Sequence, residues 1–95
     1  MITQNKPRFS LGRIVATPGA IEAMNDSGDT PIQFLSRHVR GDWGEVCDED
    51  KQLNEESLVH GGRLLSVYQT KKNVTIWLIT EADRSVSTLL LPSEY

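Results

Sequence analysis

Between positions 63 and 91 the chain reads RLLSVYQTKKNVTIWLITEADRSVSTLLL, three short runs of Leu, Val, Ile, Thr and aromatic residues separated by polar clusters. Leu65, Val67, Val74, Ile76, Leu78, Val86 and Leu90 interleave with Ser66, Tyr68, Thr75, Thr80, Ser87 and Thr88. Successive side chains point to opposite faces of a strand, so this spacing predicts three strands forming a hairpin-linked meander. The loops fall near Lys71-Lys72-Asn73 and Glu81-Ala82-Asp83-Arg84, and Pro92 ends the last run. One face of such a sheet can be apolar and the other mixed, as in an antiparallel sheet covered on one side.

Upstream, LGRIVAT at 11–17 predicts a further strand that ends at Thr17-Pro18-Gly19. Thr17 suits a helix N-cap and Pro18 the first helical position, where its missing N–H has no partner to lose. A short helix through AIEAM then places Ile21 and Met24 on one face, with Asn25, Asp26, Ser27 and Gly28 stopping it. Thr30-Pro31-Ile32-Gln33 has capping-box spacing, and Phe34, Leu35, His38 and Val39 follow as an apolar stripe closed by Gly41. A third helix, DEDKQLNEESLVH, has its acids in the first turn and a thin stripe of Leu53, Leu58 and Val59, and it ends at His60-Gly61-Gly62. Segregated helices and strands predict an α+β domain over 9–95, with the helices on one face of a three- or four-stranded antiparallel sheet. Residues 1–8, polar and containing Pro7, predict a loosely held arm.

Ninety-five residues suffice for a single core. The chain has no run of about eighteen apolar residues and no apolar stretch behind its N-terminal positive charge, so neither a membrane span nor a secretory signal is expected. Cys47 is the single cysteine and no Cys/His cluster has zinc spacing; a cytoplasmic protein without metal or cofactor is expected. The net charge of −3 is unevenly spread. Positions 42–56 hold seven acids (Asp42, Glu45, Asp48, Glu49, Asp50, Glu55, Glu56) against one base, Lys51. That balance argues against direct nucleic-acid binding, which favours a basic chain.

The segments LGRIVATPGA, RHVRGDWGE, GGRLLSVY and WLITEADRSVSTLLLPSEY, in this order and at these separations, resemble a family of small bacterial proteins of plasmids, phages and other mobile elements. The resemblance runs from Leu11 to Tyr95, and some members carry labels borrowed from restriction systems. It transfers no activity or catalytic residue to named positions. It implies a protein that manages a host defence system or another macromolecule.

Two sets of residues are candidates for chemistry. In Gly41-Asp42-Trp43-Gly44, an indole between two glycines can anchor a protein partner; its structural alternative is a core plug whose glycines turn the chain. With Asp42, Glu45, Asp48, Glu49 and Asp50 beside it, Trp43 would face a basic surface, for example an inhibited host nucleoprotein. The competing reading is a solvated helix face. The second set is Glu81, Arg84, His60 and Tyr68, the base, phosphate clamp and general acid of a small metal-independent ribonuclease. Helices followed by a meander is also the layout of barnase-like and messenger-RNA-cleaving toxin folds, an analogy of fold alone. Its alternative has Asp83 capping the turn and Arg84 pairing with Glu81. His38 reads as a hydrogen-bonded core histidine, and Cys47, beside acids, as unreactive. The leading expectation is a non-enzymatic interaction protein. A third reading is a small homodimer pairing through a free strand edge.

Overall fold

The computed structural model describes residues 6–95. In chain order it holds β1 (Arg13–Ala16), α1 (Pro18–Ser27), α2 (Pro31–Val39), α3 (Asp48–His60), β2 (Leu64–Gln69), β3 (Thr75–Thr80), β4 (Val86–Leu90) and a 3-10 turn at Pro92–Glu94. The fold is α+β, as the pattern predicts. The C-terminal strands form the antiparallel meander, with Leu65 opposite Ile79 and Ile79 opposite Thr88. β1 joins beside β4, giving the order β1-β4-β3-β2. It pairs parallel, Ile14 with Ser87 and Val15 with Thr88, so the sheet is mixed rather than wholly antiparallel. Parallel neighbours need a long connection, and here three helices and two strands lie between them.

Helix starts follow their capping residues. The Thr17 hydroxyl oxygen accepts from the Ala20 N–H at 3.2 Å, and the Gln33 side-chain oxygen accepts from the Thr30 N–H at 3.1 Å. α1 continues through Asn25, Asp26 and Ser27 and stops only at Gly28, whose φ of 74° is the left-handed cap. Its buried face is Ala20 and Met24, four apart, while Ile21 is 46% exposed. α2 buries Phe34, Leu35 and His38. Phe34 and Leu35 meet Tyr68, Ile76, Leu78 and Leu89 in the main core, with the Phe34 and Tyr68 rings stacked at 5.3 Å.

α3 departs from its predicted stripe. Leu53 is 58% and Val59 76% exposed, Leu58 is half-buried, and the buried residue is Asn54. The cause is its position along the outer edge of β2, which needs hydrogen bonds rather than apolar contact. The Asn54 side chain donates to the Leu65 carbonyl at 2.8 Å and accepts from the Leu65 N–H at 3.1 Å, acting as one rung of a missing neighbour strand. The predicted loose arm is tied at Arg8, whose N–H donates to the Val39 carbonyl at 2.7 Å and whose guanidinium grips Glu55 at 2.8 and 3.1 Å. Residues 1–5 of that arm lie outside the described residues.

Candidate functional site

Trp43 is 4% exposed. It packs with Val46, Leu64 and Phe9, and its indole N–H donates to Glu55 at 3.1 Å. The loop around it is stitched to β2: the Val67 N–H donates to the Trp43 carbonyl at 3.1 Å and the Glu45 N–H to the Val67 carbonyl at 2.8 Å. Gly44 permits this, since its φ is 73° and a side chain there would collide with the Val67 carbonyl. The expectation of Trp43 as an exposed anchor is therefore corrected: apolar burial and the edge of β2 together hold the ring inside.

The acids are partly neutralised. Asp42 is held by Arg37 at 2.7 and 3.3 Å and by the Gly44 N–H at 3.2 Å; the Arg37 bond above all lowers its pKa. Glu55 is lowered mainly by Arg8, and also by the Trp43 N–H. Glu45 accepts from Gln69 at 3.2 Å. Asp48 and Glu49 project into solvent from the first turn of α3, with Asp50 half-buried and Lys51 4.0 Å from Asp48. An indole flanked by free carboxylates is not formed.

Of the ribonuclease set, Tyr68 lies apart and Arg84 and Glu81 are already engaged. Tyr68 is sealed on the core face, donates to the Asp42 carbonyl at 2.6 Å, and has its pKa pushed up to about 12, chiefly by burial. Glu81 lies beyond the Leu64–Thr80 end of the β2–β3 hairpin, whereas Tyr68 pairs with Ile76 near the other end. Four residues of strand separate those rungs by about 13 Å. Glu81 pairs with Arg63 at 3.3 Å. The Arg84 guanidinium donates to the carbonyls of Gly62, Ser57, Glu81 and Ala82 at 2.5 to 3.2 Å, so it clamps backbone rather than waiting for phosphate. Asp83 caps the turn through the Ser85 N–H at 3.0 Å, as the structural reading expects, but Arg84 does not pair with the Glu81 carboxylate. His60 is an exposed helix end.

Two features go beyond the sequence reading. The first is a buried polar chain. Ser66, Thr80 and Ser87, read as part of a mixed strand face, point into the core around His38, and all four side chains are fully buried. Ser87 donates to the Leu11 carbonyl at 2.7 Å, so Thr80 must donate to Ser87 (2.7 Å) and accept from His38 Nε2–H (2.9 Å). His38 Nδ1 then accepts from the Ser66 hydroxyl at 2.6 Å. Every group is satisfied by a neutral ring, with Phe9 and Trp43 edge-on to it at 5.1 and 5.6 Å. Burial first, then Arg84, lowers the His38 pKa to about 3. The chain locks α2 to three strands.

The second feature is the opposite face of the sheet, over which no helix packs among the described residues. Alternation puts Val15, Leu65, Val67, Trp77, Ile79 and Leu90 there, together with Thr75 and Thr88. Trp77 pairs with Val67 on one side and Leu90 on the other, placing it in the middle of the face. Tyr95, 68% exposed, lies against Trp77 at 5.6 Å, and its hydroxyl accepts from Arg63 at 3.0 Å. Between them and the sheet runs a groove of about 280 Å³, lined by Arg63, Leu64, Leu65, Trp77, Ile79 and Tyr95. A signal for this face was present in the sequence: both sides of β2 and β3 carry apolar residues, more than one covered face requires.

Comparison of the chain with protein-family models, with curated proteins and with solved structures finds no match.

Proposed function

We propose that this chain is a non-enzymatic protein-interaction module whose contact surface is the helix-free face of its sheet, with Trp77 at the centre. The observation that supports this is an apolar strand face carrying a half-buried tryptophan, over which no helix packs among the described residues, although Ile79 and Leu90 on it are only 7% and 5% exposed. Aromatic side chains on such a face supply contact area at little entropic cost, and the polar threonines around them suit a rim. The resemblance to mobile-element proteins makes a component of a host defence complex the first partner class to test.

The acidic reading narrows to Asp48, Glu49 and Asp50, with Asp48 fully exposed. Affinity capture on a purified defence complex separates the two surfaces. Retention should be lost in Thr88→Arg, which plants a charge on the sheet face, and kept in the double variant Glu49→Lys/Asp50→Lys. The reverse pattern would move the contact to the first turn of α3.

A further inference from the structure

We infer that the partner seated on the helix-free sheet face is a second copy of this chain, packed sheet to sheet; this rests on the proposed role of that face. The charge distribution selects the partner. Within the strands, the positions on this face hold no carboxylate, and their one cation is Arg13 at a corner. Just outside, Glu81 is already balanced by Arg63. The other acids belong to the helical layer, the loops and the C-terminal turn, among them Glu22, Asp48, Glu49 and Asp50. Two chains of net charge −3 repel through most orientations. Face-to-face stacking keeps most acids away from the contact and leaves charge only at its margin, at Arg13, the Arg63–Glu81 pair and Glu45 beside Gln69.

Symmetry and size agree with this arrangement. A twofold contact uses one patch twice, so it must be complementary to itself. Trp77 on the interior strand β3 is half-buried against Tyr95, with Val67 and the smaller Thr88 beside it and Leu90 and Ile79 only 5% and 7% exposed, so the centre of the face is apolar on both copies. Four strands at about 4.8 Å spacing and four to six residues long give a footprint of roughly 19 by 17 Å. With Ile79 and Leu90 already covered, the face reaches at most about 600 Å² per copy, and only if the exposed margin at Arg13, Arg63 and Tyr95 is included, or roughly 1,200 Å² in total, the lower end of specific interfaces. The dimer is thus a weak one.

Sedimentation of the full chain between roughly 5 and 500 μM at neutral pH tests the inference. The expected result is a concentration-dependent doubling of mass. Thr88→Arg and, independently, Val15→Glu at the 38% exposed edge position should each raise the dissociation constant at least about tenfold with the circular dichroism unchanged. Glu49→Lys, on the other layer, should leave it unaltered. Should Thr88→Arg disturb the fold, Val15→Glu decides alone. A chain monomeric at the highest concentration, or a dimer indifferent to both substitutions, overturns the inference. If that monomer still captures a different protein and loses it on Thr88→Arg, the interaction face stands and only the second copy falls.

Discussion

A single histidine governs much of the chemistry inside this domain. Sequence marks His38 as one position of an apolar helical stripe; the structure satisfies both ring nitrogens with the Ser66 and Thr80 hydroxyls, while burial first and Arg84 second keep the ring neutral. The folded pKa, about 3, lies below the ordinary 6.5. Between those values the unfolded chain binds a proton that the folded chain refuses, so stability is full above about pH 6.5 and declines as pH falls toward 3. Lowering pH from 7.5 to 5 should remove about 2 kcal/mol, read as a fall in the urea midpoint. Asp42 and Glu55, whose pKa values are also lowered, add their losses only below their ordinary carboxylate range near pH 4. His38→Gln should abolish the early step and keep the later one; an unchanged pH profile would show that the ring is not the responsible group. At Gly44, alanine must adopt a left-handed backbone and displace the Val67 carbonyl. Gly44→Ala is expected to destabilise by more than about 1 kcal/mol in the same denaturation experiment.

Among the elements, β2 shows how an edge strand is closed without a further strand. Asn54 covers the Leu65 rung and the Trp43–Glu45 backbone covers the Val67 rung. Asn54→Ala leaves a buried N–H and carbonyl without partners, so it should cost about 2 kcal/mol in thermal or chemical denaturation and expose an edge that recruits other chains. Light scattering near the unfolding midpoint would register the second effect. Asn54→Gln should rescue little, because the longer arm displaces both bonds. β1 at the opposite edge is only four residues long and begins with Arg13, two devices that limit pairing there. This makes the edge-paired homodimer less favourable than contact through the broad face.

For the molecule as a whole, charge is sorted by layer: most acids lie on the helical side, and the strand positions of the other face are free of them. Reversing Glu49 and Asp50 should leave the dichroism spectrum and a cooperative unfolding transition intact, since neither carboxylate holds a partner across elements among the described residues. Trp43→Phe should behave oppositely: loss of buried volume and of the bond to Glu55 is expected to lower stability by about 1–3 kcal/mol while sparing partner capture. Loss of capture in a folded Trp43→Phe protein would return the anchor role to this residue.

The α+β class, the meander, and the helix starts at Thr17 and Thr30 followed from sequence alone, because alternation and capping are local effects whose partners lie within a few residues. Asp83 as a turn cap followed for the same reason. Tertiary structure decided everything that depends on a distant partner. Leu65 and Leu64 are alike in polarity, so only packing against α1 and α2 determined which side of β2 became core, and that choice buried Ser66 beside His38. Trp43 was equally suited to docking and to filling; the open edge of β2 and the carboxylate of Glu55 drew it inward. Arg84 and Glu81 are neighbours in the chain, yet the carbonyls of Ser57 and Gly62 claim one and Arg63 the other. An acidic run is visible in one dimension, but which of its charges remain free is settled only when the guanidiniums of Arg8 and Arg37 arrive from elsewhere in the fold.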